Sequence, residues 1–207
     1  MSDGIEDLLR HPAIWRMQDA SAPRGNLLSS GFPELDAVLP GGGWPHGAVI
    51  EMLASEDGAT ALGLLTRTLS RITGEGRWVV CIAPPHIPYA PAFEERNVDT
   101  SRLLVARGNN AREASWAAEQ ALRAPACGAV LLWEGDSRFS MRVLRRLQLA
   151  AESNNGRAVL FRPLGARKAP SPAALRLLIE PCATGFAVTT LKCRGGIAGK
   201  RVVIGNA

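Results

Sequence analysis

A chain of 207 residues, 46% hydrophobic, with a formal charge of +5, has the length for one main domain with a sizeable core plus a tail or subdomain. No run of about 18 apolar residues occurs, so no membrane span is expected, and the opening MSDGIEDLLRHP carries acids and lacks the apolar stretch of a secretory signal. Cys81, Cys127, Cys182 and Cys193 show no CxxC or metal-ligand spacing, so no metal site is expected; Cys81 and Cys127 read as buried thiols of a cytoplasmic protein.

The net charge hides an asymmetry. Residues 1–137 hold 11 Arg and no Lys against 17 acids, a balance of −6; residues 138–207 hold 13 Lys and Arg against Glu152 and Glu180, a balance of +11. Such a split predicts an acidic half and a basic half with different partners, or a solvated basic face.

In chain order, residues 5–17 read as a short helix broken near Pro12, with Trp15 docking on the core, followed by a polar linker over 18–26. Residues 32–39 form an amphipathic segment and Pro40-Gly41-Gly42-Gly43 a turn that needs positive φ, with Trp44 packed behind it. A strongly apolar strand over 48–53 leads through a tight loop to a helix over 60–73, which Gly74-Glu75-Gly76 closes. Strands follow at 78–83, 103–106, 128–133 and 157–162, separated by helices at 90–96, 110–123 and 141–154. Strands alternating with helices of this length predict an α/β fold with a mostly parallel sheet covered on both faces. From Leu164 the pattern changes: GARKAPSPAA is a basic, Pro-rich loop, and strands at 175–180, 186–192 and 202–204 predict antiparallel strands at one edge. The organisation expected is an N-terminal helix and linker over 1–26, an α/β domain over 27–193, and a basic tail or edge strand over 194–207.

The loop after the first strand is where phosphates bind in α/β proteins, because backbone N–H groups and the helix dipole converge there. A working loop reads GxxxxGK[ST], with the Lys on the phosphates. Residues 54–60 here read Ala54, Ser55, Glu56, Asp57, Gly58, Ala59, Thr60: Ala replaces the Lys, and Glu56 and Asp57 would repel a phosphate. The loop is the vestige of a nucleotide site, and no cofactor is expected. Thr60 has a helix-capping role as its commoner reading. His86, Ser137 and Ser140 have no acid or base companion in sequence, so a hydrolytic triad is unsupported, and Glu134 with Asp136 reads as a polar turn before it reads as a metal pair.

The stretch around that loop resembles the ATP-binding core of the RecA superfamily. The matching residues are Ser30-Gly31, Leu35-Asp36, Gly42-Gly43-Trp44-Pro45-His46-Gly47 and Val49-Ile50-Glu51, in the family's order over some 30 residues. The resemblance implies a RecA-like three-layer core. It also implies an acid just after the second strand, where Ala83-Pro84-Pro85-His86 has none, and a magnesium-supporting Asp at the end of a later strand, where Trp133 stands and Glu134 is one position late. A one-residue slip on a strand turns a side chain to the other face. Three replaced positions imply a fold kept without its catalysis.

Within that superfamily the chain is similar to the ImuA family, RecA-like accessory proteins of SOS-induced mutagenic translesion synthesis, and to the SulA family of cell-division inhibitors. The first resemblance implies partners: an ImuB-type Y-family-like protein, RecA and an error-prone polymerase. The second implies FtsZ, whose polymerisation such a protein blocks. Arg142, Arg145 and Arg146 on one helix, with Arg167, Lys168, Lys192, Arg194, Lys200 and Arg201 on loops and strand ends, are the candidate surface for DNA or an acidic partner. Phe161 and Phe186, the nearby aromatics, read as core, which leaves base stacking weakly supported.

Overall fold

The computed structural model describes residues 27–55, 59–108, 110–135 and 138–205. The expected helix at 5–17, Trp15 and the linker lie outside these residues, as do Glu56, Asp57, Gly58, Asp136 and Ser137.

Eight strands form one sheet: β1 (Ala48–Ala54), β2 (Trp78–Ile82), β3 (Leu103–Ala106), β4 (Cys127–Trp133), β5 (Arg157–Pro163), β6 (Leu175–Cys182), β7 (Gly185–Cys193) and β8 (Arg201–Gly205). Their order is β3-β2-β4-β5-β1-β6-β7-β8. The first six in this order run parallel, and β6–β7 and β7–β8 pair antiparallel. Every residue of β1 and of β4 is buried, as strands with layers on both faces must be.

On one face, Ile50, Met52, Leu131, Trp133, Val159 and Phe161 pack under helices α1 (Pro33–Asp36), α2 (Ala59–Gly63), α3 (Thr66–Gly74) and α4 (Ala90–Glu94). On the other, Val49, Val130, Leu132, Ala158 and Leu160 pack under α5 (Ala111–Arg123) and α6 (Met141–Ser153). Both long helices start at side-chain caps: Asn110 accepts from the Glu113 N–H and Ser140 from the Val143 N–H. Beside α6 on that face the chain runs back from β5 to β6 through residues 164–173, with Ala173 in the same core.

Two expectations are corrected. The single helix over 60–73 is broken: the Leu65 N–H bonds the Leu62 carbonyl, and the Thr66 hydroxyl donates to the Gly63 carbonyl at 2.9 Å, a local alternative to the regular ladder. The basic Pro-rich segment begins as a 3-10 helix, Leu164–Lys168, rather than as irregular loop.

The glycine turn behaves as its sequence requires: Gly41 and Gly42 have φ of 72° and 84°. Gly43 is extended, and a Cβ there would stand 2.7 Å from the Leu28 carbonyl oxygen. That close approach lets the Trp44 N–H bond the same carbonyl, while the buried Trp44 indole donates to Thr68 Oγ1 at 2.8 Å. Gly76, with φ of 75°, closes α3 by a Schellman pair: its N–H bonds Thr73 and the Arg77 N–H bonds Ile72.

Three predictions follow from this packing. Gly128→Ala places a Cβ 2.3 Å from Ile72 Cγ2, so it lowers stability by about 1–3 kcal/mol, whereas Gly63→Ala meets open space and raises it by about 0.5 kcal/mol; urea midpoints at constant m measure both. Burial raises the Cys81 thiol from 9.0 to about 12 and the Cys127 thiol to about 11. The folded chain therefore holds protons that the unfolded chain releases, and stability falls as pH rises above about 9. At pH 8, iodoacetamide labels the half-buried Cys182 in the native protein, and Cys81, Cys127 and Cys193 only after unfolding, as counted by mass spectrometry.

Candidate functional site

The carboxyl ends of β1, β2, β4 and β5 open into a crevice of about 840 Å³, the place where open α/β sheets take ligands. Its lining is Met52, Ala54, Ser55, Ala83, Pro85, Trp133, Glu134, Arg138, Phe161 and Leu164, among others. Trp133, where the RecA resemblance implies a magnesium-supporting Asp, stacks on Phe161 of the neighbouring strand with centroids 4.4 Å apart and planes 17° off parallel. Ala83, Pro84 and Pro85 follow β2 where the superfamily carries its acid. Of residues 54–60, expected as a vestigial phosphate loop, Ala54 ends β1, Ser55 is exposed, and Ala59 and Thr60 open α2. Thr60 lies within the first turn and not at its cap.

Glu134 points to the opposite face from Trp133, as the one-residue slip requires. There it enters a buried network. Arg162 Nε and Nη2 donate to the two Glu134 oxygens at 3.0 and 2.9 Å, and Arg162 Nη1 donates to Glu51 Oε1 at 2.9 Å. Glu51 also accepts from Arg176 Nε at 2.7 Å and from the Ser171 hydroxyl at 2.5 Å. Arg176 Nη2 continues to the Ala166 carbonyl, and the Phe139 N–H donates to Glu134 at 2.7 Å. Two cations meet two anions, so the cluster is neutral; both carboxylates are fully buried and the Arg162 side chain is 2% exposed. Burial pushes the Arg162 guanidinium down, but its hydrogen bonds to Glu134 and Glu51 and the attraction of their charges outweigh that and hold it above its ordinary pKa. Glu134 is thus an ion-pair partner of Arg162; among the described residues no cluster of His, Cys, Asp and Glu has metal-ligand geometry.

The predicted basic residues lie in four places. Arg142, Arg145 and Arg146 are exposed on α6, with Arg146 Nη2 on Glu119 of α5 at 2.8 Å. Arg167 and Lys168 are exposed at the end of the 3-10 helix. Lys192 Nζ donates to the Ser171 carbonyl at 2.9 Å and Arg194 Nη2 to the Pro172 carbonyl at 3.3 Å, which ties β7 to residues 164–173. Burial, then Arg194 and Arg176, push the Lys192 ammonium below its ordinary value. Lys200 and Arg201 are exposed at the start of β8 on the sheet edge. Arg157, Arg162 and Arg176 are buried, so the last third presents ten cations, not thirteen, to solvent against two exposed acids.

Sequence reasoning missed a second groove of about 650 Å³ between the N-terminal turns of α5 and α6, lined by Arg112, Trp116, Arg138, Phe139, Val143 and Arg146, among others. Trp116 is 58% exposed. Its signal was its place in AREASWAAEQ, off the Ala114, Ala118, Leu122 stripe that packs on the sheet.

No family model matches the chain. Protein ImuA of Caulobacter vibrioides, in two strains, is 29% identical over 199 residues, with 84% of this chain and 81% of the relative covered. The similarity to ImuA thus spans most of the chain. The fold is RecA-like: the crystal structure of the RadB recombinase superposes with a TM-score of 0.65 over 84% of this chain and 94% of that one, at 14% identity.

The buried network sets its own test. Arg162→Met leaves Glu51 and Glu134 without their shared cation and costs about 3–5 kcal/mol, read as a lowered urea midpoint.

Proposed function

We propose that this chain is a non-catalytic RecA-like accessory protein of SOS-induced translesion DNA synthesis. It acts as an adaptor between an ImuB-type Y-family-like protein and an error-prone polymerase, with RecA a further partner and DNA contacted through the basic last third. The observation that carries the reading is the pairing of ImuA similarity with a converted crevice. Trp133 stands where the sheet would present a magnesium-supporting acid, and the acid one residue later is engaged by Arg162. A nucleotide's phosphates would meet no lysine at residue 59 and two acids in the same loop. The ImuA name of the curated relatives supports this reading over the division-inhibitor alternative, in which FtsZ would be the partner.

Co-purification with the ImuB-type protein in low salt tests the adaptor role: a retained complex is expected, and a clean failure to bind overturns it. ATP turnover is expected to stay at the buffer background. Hydrolysis that disappears in Thr60→Ala would return the chain to the ATPases, while hydrolysis that persists unchanged in that variant belongs to a contaminant.

A further inference from the structure

The outer surface of α5 and α6 carries two large apolar side chains with no cover among the described residues: Trp116 at 58% and Leu149 at 64% exposed. Both lie on the solvent side of the same helix pair. On α6, Arg142 and Leu149 are seven residues apart and so lie on one line along the helix, about 10 Å from each other, with Arg145 and Arg146 on either side. On α5, Arg112 and Trp116 are one turn apart, and Trp116 borders the same groove as Val143 and Arg146 of α6. The Arg146–Glu119 pair at 2.8 Å holds the two helices in this arrangement.

A surface that sets Trp116 and Leu149 among Arg112, Arg138, Arg142, Arg145 and Arg146, with Glu113 the one acid lining the groove, selects its occupant by chemistry. Trp and Arg are the side chains that dominate binding energy at protein interfaces, above all where a rim keeps water from the anchor. A second copy of this chain is disfavoured, because an isologous contact would set one arginine-rich patch against another. Single-stranded DNA would use the arginines and the indole face but would leave Leu149 without a role. We infer that the α5–α6 face docks an acidic amphipathic segment of a protein partner, its apolar side chains on Trp116 and Leu149 and its carboxylates on the surrounding arginines. The inference deepens the adaptor reading by assigning the surface that the partner uses.

The test uses the full chain, with two probes. One is the full-length ImuB-type protein; the other is a synthetic fluorescein-labelled helical peptide alternating Leu-Leu and Glu-Glu-Glu. The variant Trp116→Ala/Leu149→Ala is expected to weaken both by at least tenfold, and Arg142→Glu/Arg145→Glu to do the same with loss of salt dependence. These side chains are exposed, so the urea midpoint is expected to stay at the wild-type value, which separates a lost contact from a lost fold. Equal retention of the ImuB-type protein by the wild type and by Trp116→Ala/Leu149→Ala overturns the inference while leaving the adaptor role intact. If the ImuB-type protein binds neither, the adaptor role falls and the peptide alone decides: no peptide binding overturns the inference. Two further outcomes also overturn it. One is a labelled thirty-nucleotide poly-dT strand that loses affinity in Trp116→Ala when the peptide does not. The other is a wild-type dimer in sedimentation that this substitution dissociates.

Discussion

Arg162 lies between two carboxylates beside the central strands, with Glu134 on one side and Glu51 on the other, and Glu51 in turn holds Arg176. The four side chains belong to β1, β5, β6 and the residue that follows β4, so one neutral cluster ties together neighbouring positions of the sheet. Burying charges is costly, and such a cluster persists because nearly every donor finds an acceptor: the guanidinium fork of Arg162 fits Glu134 bidentately, and the remaining Arg176 donors reach the backbone of the 3-10 helix. The same bonds decide where residues 164–173 lie, because Ser171, Ala166 and Arg167 all contact the cluster.

This arrangement accounts for the character of the crevice. In a nucleotide-hydrolysing sheet the carboxyl ends of these strands would leave carboxylates free to face a metal and a phosphate. Here both acids are turned to the face away from Trp133 and neutralised, while Trp133, Phe161 and Met52 give the crevice an apolar floor. Arg138 is exposed at its rim and also borders the α5–α6 groove, so the two concave regions are neighbours on the molecule.

The charge distribution follows the same division. Three of the arginines in the last third are consumed inside the fold. The ten cations that remain, seven arginines and three lysines, are distributed over Arg138, α6, the 3-10 helix, the loop at Arg194 and the ends of β7 and β8. A basic composition is thus concentrated into a smaller exposed set, and on α5 and α6 that set lies beside the exposed apolar side chains of Trp116 and Leu149.

Much of the architecture was legible in the residues themselves. Continuous apolar runs such as AVIEML and GAVLLW announce strands buried on both faces, because no other element of that length can hide every side chain. Ala59 after the first strand, the absence of an acid in residues 83–86 and Trp133 at the end of β4 are identities that the sequence prints directly. The break within residues 60–73 was not, because a hydroxyl and a short hydrogen bond at Gly63 compete with the helix only locally. Nor was the role of Glu134, which depends on an arginine 28 residues away on the adjacent strand, or that of Glu51, whose partners are 111 and 125 residues distant. Side chains so far apart in the chain acquire a shared chemistry only when the sheet sets their strands side by side. For the same reason the sequence alone determined that the last third is basic, and only tertiary structure decided which arginines are buried and which surround Trp116.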